Sequence, residues 1–225
     1  KDGYQGHSDI VIPFIDINTG SKYIYTCREG GEGPGIARVV TYNDKGEIVW
    51  KALEAGHMHK GWVANVGPDY RKVAMAMRLN RVIIDNEMCE AEPDDYYFDA
   101  ITGEPVDFDF PYRGSDFFPI DVDGDGYHEF FGVSGDMSGV FVDRFGKVLG
   151  RVGGHQVKSG KMFGFAGEQV MQFYPLEGKV RIWGDIDARD SDILKARHSV
   201  GYHDFMQKLT GTGYNHINGV ISCAI

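Results

Sequence analysis

Short apolar runs separated by tight, glycine-bearing turns dominate the chain, and apolar positions seldom recur at the spacing of a helix face. Four segments share one pattern, a β-rich run, a turn with Gly and a second β-rich run: TYNDKGEIVW (41–50), YFDAITGEPV (97–106), FVDRFGKVLG (141–150) and FYPLEGKVRI (173–182). Each predicts a hairpin, in which Gly46, Gly103, Gly146 or Gly178 supplies the positive φ of the turn. A second repeat marks the entry to apolar runs: Gly6-His7, Gly56-His57 and Gly154-His155, with Arg113-Gly114 at the matching place between the last two. These intervals approach the ~40–50 residues of a four-stranded propeller blade. The pattern predicts an all-β fold, a partial β-propeller over residues 1–187 with about four blades at roughly 7–56, 57–113, 114–154 and 155–187. The acidic stretch EAEPDDYYFD (90–99) reads as a solvated loop of the second blade. Residues 188–225 change character: SDILKARHSVGYHDFMQKL is weakly amphipathic and predicts a short helical C-terminal tail packed on the propeller. Four blades leave open edges. The expectation is therefore that a missing chain or segment completes the ring.

Composition narrows the function. The 225 residues hold 31 Gly and 13% aromatics, which suits many turns and a β core. A net charge of −10 argues against a nucleic-acid surface, which needs clustered Lys and Arg. An acidic substrate stays open, because a bound cation or a local Arg and His cluster inverts the field of one cleft. No apolar run approaches the ~18 residues of a membrane span. The opening KDGYQGHSD has no Met and reads as the interior of a protein, so a removed signal or a truncation is expected, with a secreted or periplasmic location. Cys27, Cys89 and Cys223 are an odd set and indicate no disulfide framework; they read as buried thiols or as one metal ligand.

Three constellations carry chemistry. DVDGDGYHE offers the carboxylates of Asp121, Asp123 and Asp125, the carbonyl of Tyr127 and the carboxylate of Glu129, with Gly124 and Gly126 permitting a sharp turn. Oxygen ligands at alternate positions suit a hard cation, so a calcium loop is expected. Its flanks are strands, and Gly132 stands where an EF-hand would place its Glu, so the ion reads as a brace of a blade. Equivalent positions of successive blades lie around one axis, which would gather His7, His57, Arg113 and His155 in a cleft suited to proton transfer and carboxylate binding. Each of these His has the alternative of capping a turn. His59 lies two residues past His57 and so on the same side of an extended strand. The tail holds His198, His203, His216 and Cys223, a candidate zinc set with loose spacing. Tyr112, Tyr202 and Tyr214 are further acid–base candidates.

The segments GHMHKGWVANV (56–66), DVDGDGYHEFFGV, and EGKVRIWGD followed by GYNH (213–216) resemble polysaccharide lyases built on β-propellers, the seven-bladed ulvan lyases and the eight-bladed rhamnogalacturonan lyases. His57 falls on the His of the family's Gly-His-Gly-Asp segment. His59 and Asn65 stand where the rhamnogalacturonan enzymes have Asp, and the tail His and Cys set is closer to the structural zinc of ulvan lyases. The resemblance implies a seven- or eight-bladed ring and β-elimination on a uronate-containing, ulvan-like polysaccharide. A cation or Arg neutralises the carboxylate, a base takes the C5 proton and an acid protonates the leaving oxygen. His57 and His7 would be base and acid in either order, Arg113 or Arg78 would meet the carboxylate, and His155 would support the site. The alternatives are rhamnogalacturonan cleavage and a non-catalytic, calcium-braced carbohydrate-binding propeller.

Overall fold

A computed structural model describes residues 6, 8, 10–29, 36–53, 56–79, 81–84, 87–90 and 94–199. The chain divides into two compact units, 1–63 with 72–108, and 64–71 with 109–225. The described residues are mostly strand, with one short α-helix. None of their helices is long and apolar enough to cross a membrane.

The first unit opens with an antiparallel meander of four strands in chain order: β1 (Ile10–Ile15), β2 (Lys22–Cys27), β3 (Val39–Asn43) and β4 (Ile48–Ala52). A second sheet joins β5 (Met58–Asn65), β6 (Lys72–Arg78) and β9 (Asp94–Asp99), with the two-stranded hairpin of β7 (Arg81–Ile84) and β8 (Glu87–Glu90) between β6 and β9 in the chain. Residues 73–77 of β6 are all buried, the signature of a strand covered on both faces. Two buried polar atoms pin this core: Tyr25 Oη donates to the Met75 carbonyl at 2.7 Å, and Trp50 Nε1 donates to the Ala100 carbonyl at 2.8 Å. Gly61 is required by close approach, since a Cβ there would lie 2.6 Å from Cys27 Sγ and 2.8 Å from the Met75 carbonyl oxygen. Cys27 is free and fully buried, and burial pushes its thiol up to about 12.

The second unit repeats the meander. β10 (Phe117–Ile120), β11 (Glu129–Gly132), β12 (Val140–Val142) and β13 (Val148–Arg151) form one sheet in chain order, and β14 (His155–Gly160), β15 (Gln169–Tyr174) and β16 (Lys179–Trp183) form another. In the first of these sheets β10, β11 and β12 are wholly buried, whereas β13 exposes Val148 and Leu149. Ile120, Val122, Phe131, Phe141 and Val170 form the core. Helix α1 (Asp192–Ser199) is capped by Ser191, whose Oγ accepts the Leu194 N–H at 3.1 Å.

The hairpin expectation agrees with the pairings: β3 with β4, β12 with β13 and β15 with β16 are antiparallel neighbours, and Phe98 bridges Pro105 across the fourth turn. All four turn glycines have positive φ. Glu90 and residues 94–99 of the acidic stretch are strand rather than the expected loop. Its second half is β9, because Tyr96 and Phe98 pair with Ala76 and Ala74 of β6, and Arg78 forms an ion pair with Asp94.

Candidate functional site

Two clusters of metal-ligating side chains form among the described residues, Glu29–His57–His59 and Asp121–Asp123–Glu129. In each, one ligand atom per residue lies within 4.8 Å of the others.

The first cluster belongs to the first unit. Gly56, at φ 99°, turns the chain into β5; a Cβ there would lie 2.5 Å from the Arg78 side chain. The next residues are then held by backbone bonds: Leu79 N–H donates to the His57 carbonyl at 2.9 Å and Met58 N–H donates to the Arg28 carbonyl at 3.2 Å. That second bond brings Glu29, the residue after Arg28, beside the start of β5. His57 Nε2 lies 3.2 Å from Glu29 Oε1, and His59 Nδ1 lies 3.8 Å from the same oxygen. The two rings are 5.6 Å apart, as i and i+2 positions of one strand face require. The side chains of His57, His59 and Glu29 are 32%, 28% and 21% exposed, but the facing nitrogens His57 Nε2 and His59 Nδ1 are themselves buried. Arg78, next to Gly56, pairs with Asp94 and lies over the Tyr96 ring at 5.4 Å.

The second cluster is the DVDGDGYHE loop between β10 and β11. Asp121 and Glu129 are buried and Asp123 is half-buried. Their hydrogen bonds fold the loop inward: Asp121 Oδ2 accepts the Gly126 N–H at 3.1 Å, Glu129 Oε2 accepts the Val122 N–H at 2.9 Å, and Asp123 Oδ1 accepts the Asp125 N–H at 3.0 Å. Asp121 Oδ1 is buried with no hydrogen-bond partner. Burial, and then the neighbouring carboxylates, push the Asp121 carboxyl up to about 8, although Arg197 opposes this. The same causes push Glu129 up to about 9. A buried group of acids that outnumbers its one guanidinium partner is electrostatically suited to hold a cation. Asp125 is exposed and its Oδ1 accepts the Tyr127 N–H, so it stands outside the trio.

The loop is held from outside by residues with no local signal. Gly124 and Gly126 admit the segment before α1: a Cβ at Gly124 would lie 2.6 Å from the Arg189 carbonyl oxygen, and Ser191 N–H donates to the Gly124 carbonyl at 2.8 Å. Helix α1 then delivers Arg197, fully buried, whose Nη1 donates to Asp121 Oδ2 at 3.0 Å and whose Nη2 donates to the Gly126 carbonyl at 3.0 Å. Glu168 Oε2 accepts the Asp121 N–H at 3.0 Å. Burial raises the Glu168 carboxyl, but the bond to His198 and the charge of Arg197 outweigh it and hold the group well below the usual range. Asn65 N–H donates to His128 Nδ1 at 2.9 Å, and Asn65 Nδ2 donates to the Gly126 carbonyl at 3.2 Å.

The sequence-derived candidates therefore separate. His57 and Arg78 lie near each other in the first unit. Arg113 and His155 lie in the second, Arg113 capping the 3-10 turn Gly114–Asp116 before β10 and His155 opening β14. His57, Arg113 and His155 each stand at the entry to the first strand of a sheet. Of the tail zinc set, His198 is described, and its Nε2 lies 2.9 Å from Glu168 Oε1. His7, His203, His216, Cys223, Tyr202 and Tyr214 lie outside the described residues.

No family model and no curated protein matches the chain. Among solved structures it is similar to a Bacillus licheniformis rhamnogalacturonan lyase of family PL11, at 11% identity and a TM-score of 0.43, covering 82% of this chain and 52% of that one. It is similar to the exotype rhamnogalacturonan lyase YesX at 12% and 0.41, covering 82% and 50%. It is also similar to rhamnogalacturonan lyase YesW at 12% and 0.41, covering 79% and 49%. The chain spans about half the length of these structures.

Proposed function

We propose that the chain belongs to a secreted or periplasmic polysaccharide lyase that cleaves an acidic, ulvan-like polysaccharide by β-elimination. The observation that carries this reading is the half-exposed group of Glu29, His57 and His59 with Arg78 beside Gly56. It offers in one place the two things the reaction needs at a uronate: positive charge for the carboxylate and an imidazole within reach of the acidified C5 proton. In the unloaded cluster Arg78 exchanges its Asp94 partner for the substrate carboxylate and His57, beside Glu29, moves the proton. His7, Arg113 and His155 remain proposed site residues on the strength of their matching positions in the sequence repeat.

This reading takes the sheets as propeller blades at 7–56, 57–113, 114–154 and 155–187. Sequential antiparallel meanders support it, as does the step from buried inner strands to an exposed last strand in β10–β13. In it, calcium sits in the loop of Asp121, Asp123, Asp125, Tyr127 and Glu129, where all donors are oxygen, and braces the third blade. The tail residues His203, His216 and Cys223 remain a proposed zinc set with His198.

The test is incubation with ulvan and with rhamnogalacturonan, following the ultraviolet absorbance of the unsaturated product. Ulvan cleavage that His57→Ala removes supports the assignment. An unchanged rate in His57→Ala overturns the role of His57, and cleavage of rhamnogalacturonan alone overturns the substrate. Binding of either polymer without new absorbance favours the carbohydrate-binding alternative.

A further inference from the structure

We propose that Glu29, His57 and His59 form a binding site for a divalent transition-metal ion, with zinc as its type, distinct in selectivity from the all-oxygen loop at Asp121–Glu129. The geometry fits one ion. Tetrahedral ligands at bond lengths of ~2.0–2.1 Å are spaced ~3.3–3.4 Å apart, and the Glu29 oxygen stands 3.2 Å from His57 Nε2 and 3.8 Å from His59 Nδ1. His57 Nε2, although close to that oxygen, makes no aligned hydrogen bond to it.

Donor chemistry selects the ion. Imidazole nitrogen suits zinc, copper, iron and nickel, whereas calcium and magnesium take oxygen. Two nitrogens and one carboxylate therefore discriminate against calcium, and the three carboxylates of the loop discriminate in its favour. The site is also preorganised: His57, just before β5, and His59 within it are two residues apart along the chain, and the bond from Met58 to Arg28 brings Glu29 beside them. The nearest guanidinium, Arg78, is offset by Asp94. Three protein ligands leave one position of a tetrahedral ion for a further ligand.

The site stands independently of the lyase reading, since the ion binds whether or not the chain cleaves a polymer. With the ion in place, His57 Nε2 is a ligand. The ion then shares with Arg78 the task of neutralising a carboxylate, and the proton must pass to a base other than His57.

Metal-stripped protein, saturated with calcium so that the loop is filled, is titrated with zinc against a chromophoric chelator and with cobalt by its visible absorption. The expected result is zinc binding that excess calcium does not displace. His57→Ala/His59→Ala weakens it at least about tenfold and removes the cobalt band. Glu29→Gln weakens zinc less. The calcium-induced rise in melting temperature persists in each variant, which shows that each is folded; should the double variant lose it, His59→Asn and Glu29→Gln carry the comparison. Three results overturn the proposal: no zinc bound, displacement by calcium, or zinc affinity unchanged in the variants, as an ion held by His203, His216 and Cys223 would give.

Discussion

The two metal-ligating clusters contrast in donor, burial and origin. Glu29–His57–His59 is half-exposed, contains two neutral donors and sits on a strand whose backbone is already paired. Asp121–Asp123–Glu129 is carboxylate only, largely buried, and borrows Arg197 and Glu168 from elements far along the chain. A site built of buried like charges returns its binding energy as stability, because an ion relieves a repulsion that the fold otherwise carries. A partly exposed site of two imidazoles and one carboxylate gathers no such set of buried like charges.

The strongest challenge to this contrast is Arg197→Ala. Removing a fully buried guanidinium strands Asp121 and Glu168 in the interior, and a loss of about 3–5 kcal/mol is expected in urea unfolding of the calcium-loaded protein. A loss below about 1 kcal/mol would mean that α1 does not hold the loop.

The next effect concerns pH. Without an ion, the Asp121 and Glu129 carboxyls keep their protons to about 8 and 9, whereas in the unfolded chain they release them near ~4. Between those limits the native state binds more protons, so the stability of the chelated protein falls as pH rises. In the proposed calcium-loaded state the ion takes the place of those protons and removes the decline. The gap in melting temperature between calcium-loaded and chelated protein should therefore widen from pH 5 to pH 8; a constant gap would contradict the buried-carboxylate origin of the site.

Gly61→Ala tests the packing beneath the first cluster. A Cβ placed 2.6 Å from Cys27 Sγ and 2.8 Å from the Met75 carbonyl oxygen forces a shift, with an expected loss of about 1–3 kcal/mol by denaturant unfolding. The smallest effect on stability belongs to His57→Ala, expected within about 0.5 kcal/mol because the side chain is partly exposed and buries no charge. A large destabilisation there would turn the first cluster into a structural element and dissolve the contrast.

Local chemistry was legible without a fold. The turn glycines Gly46, Gly103, Gly146 and Gly178 mark hairpins because a two-stranded turn needs positive φ at a defined place, and DVDGDG marks a cation loop because alternate oxygens and glycines act within a few residues. The pairing of His57 with His59 was equally readable from the two-residue period of a strand. Glu29 was not. It follows an unremarkable CR dipeptide, and only the bond between Met58 and Arg28 brings it to the imidazoles. Arg197 and Glu168 likewise gave no signal, since a charged residue on a weakly amphipathic helix reads as solvated until the helix docks. The acidic run that became β9 shows the same limit, because pairing with β6 and the Arg78–Asp94 ion pair outweighed a composition that favours loops. Turn geometry and ligand spacing are properties of neighbours in the chain, and the sequence by itself determined them. Which carboxylates lost their water, and which imidazoles acquired a third partner, depended on segments far apart in the chain being packed together, and that the tertiary structure alone decided.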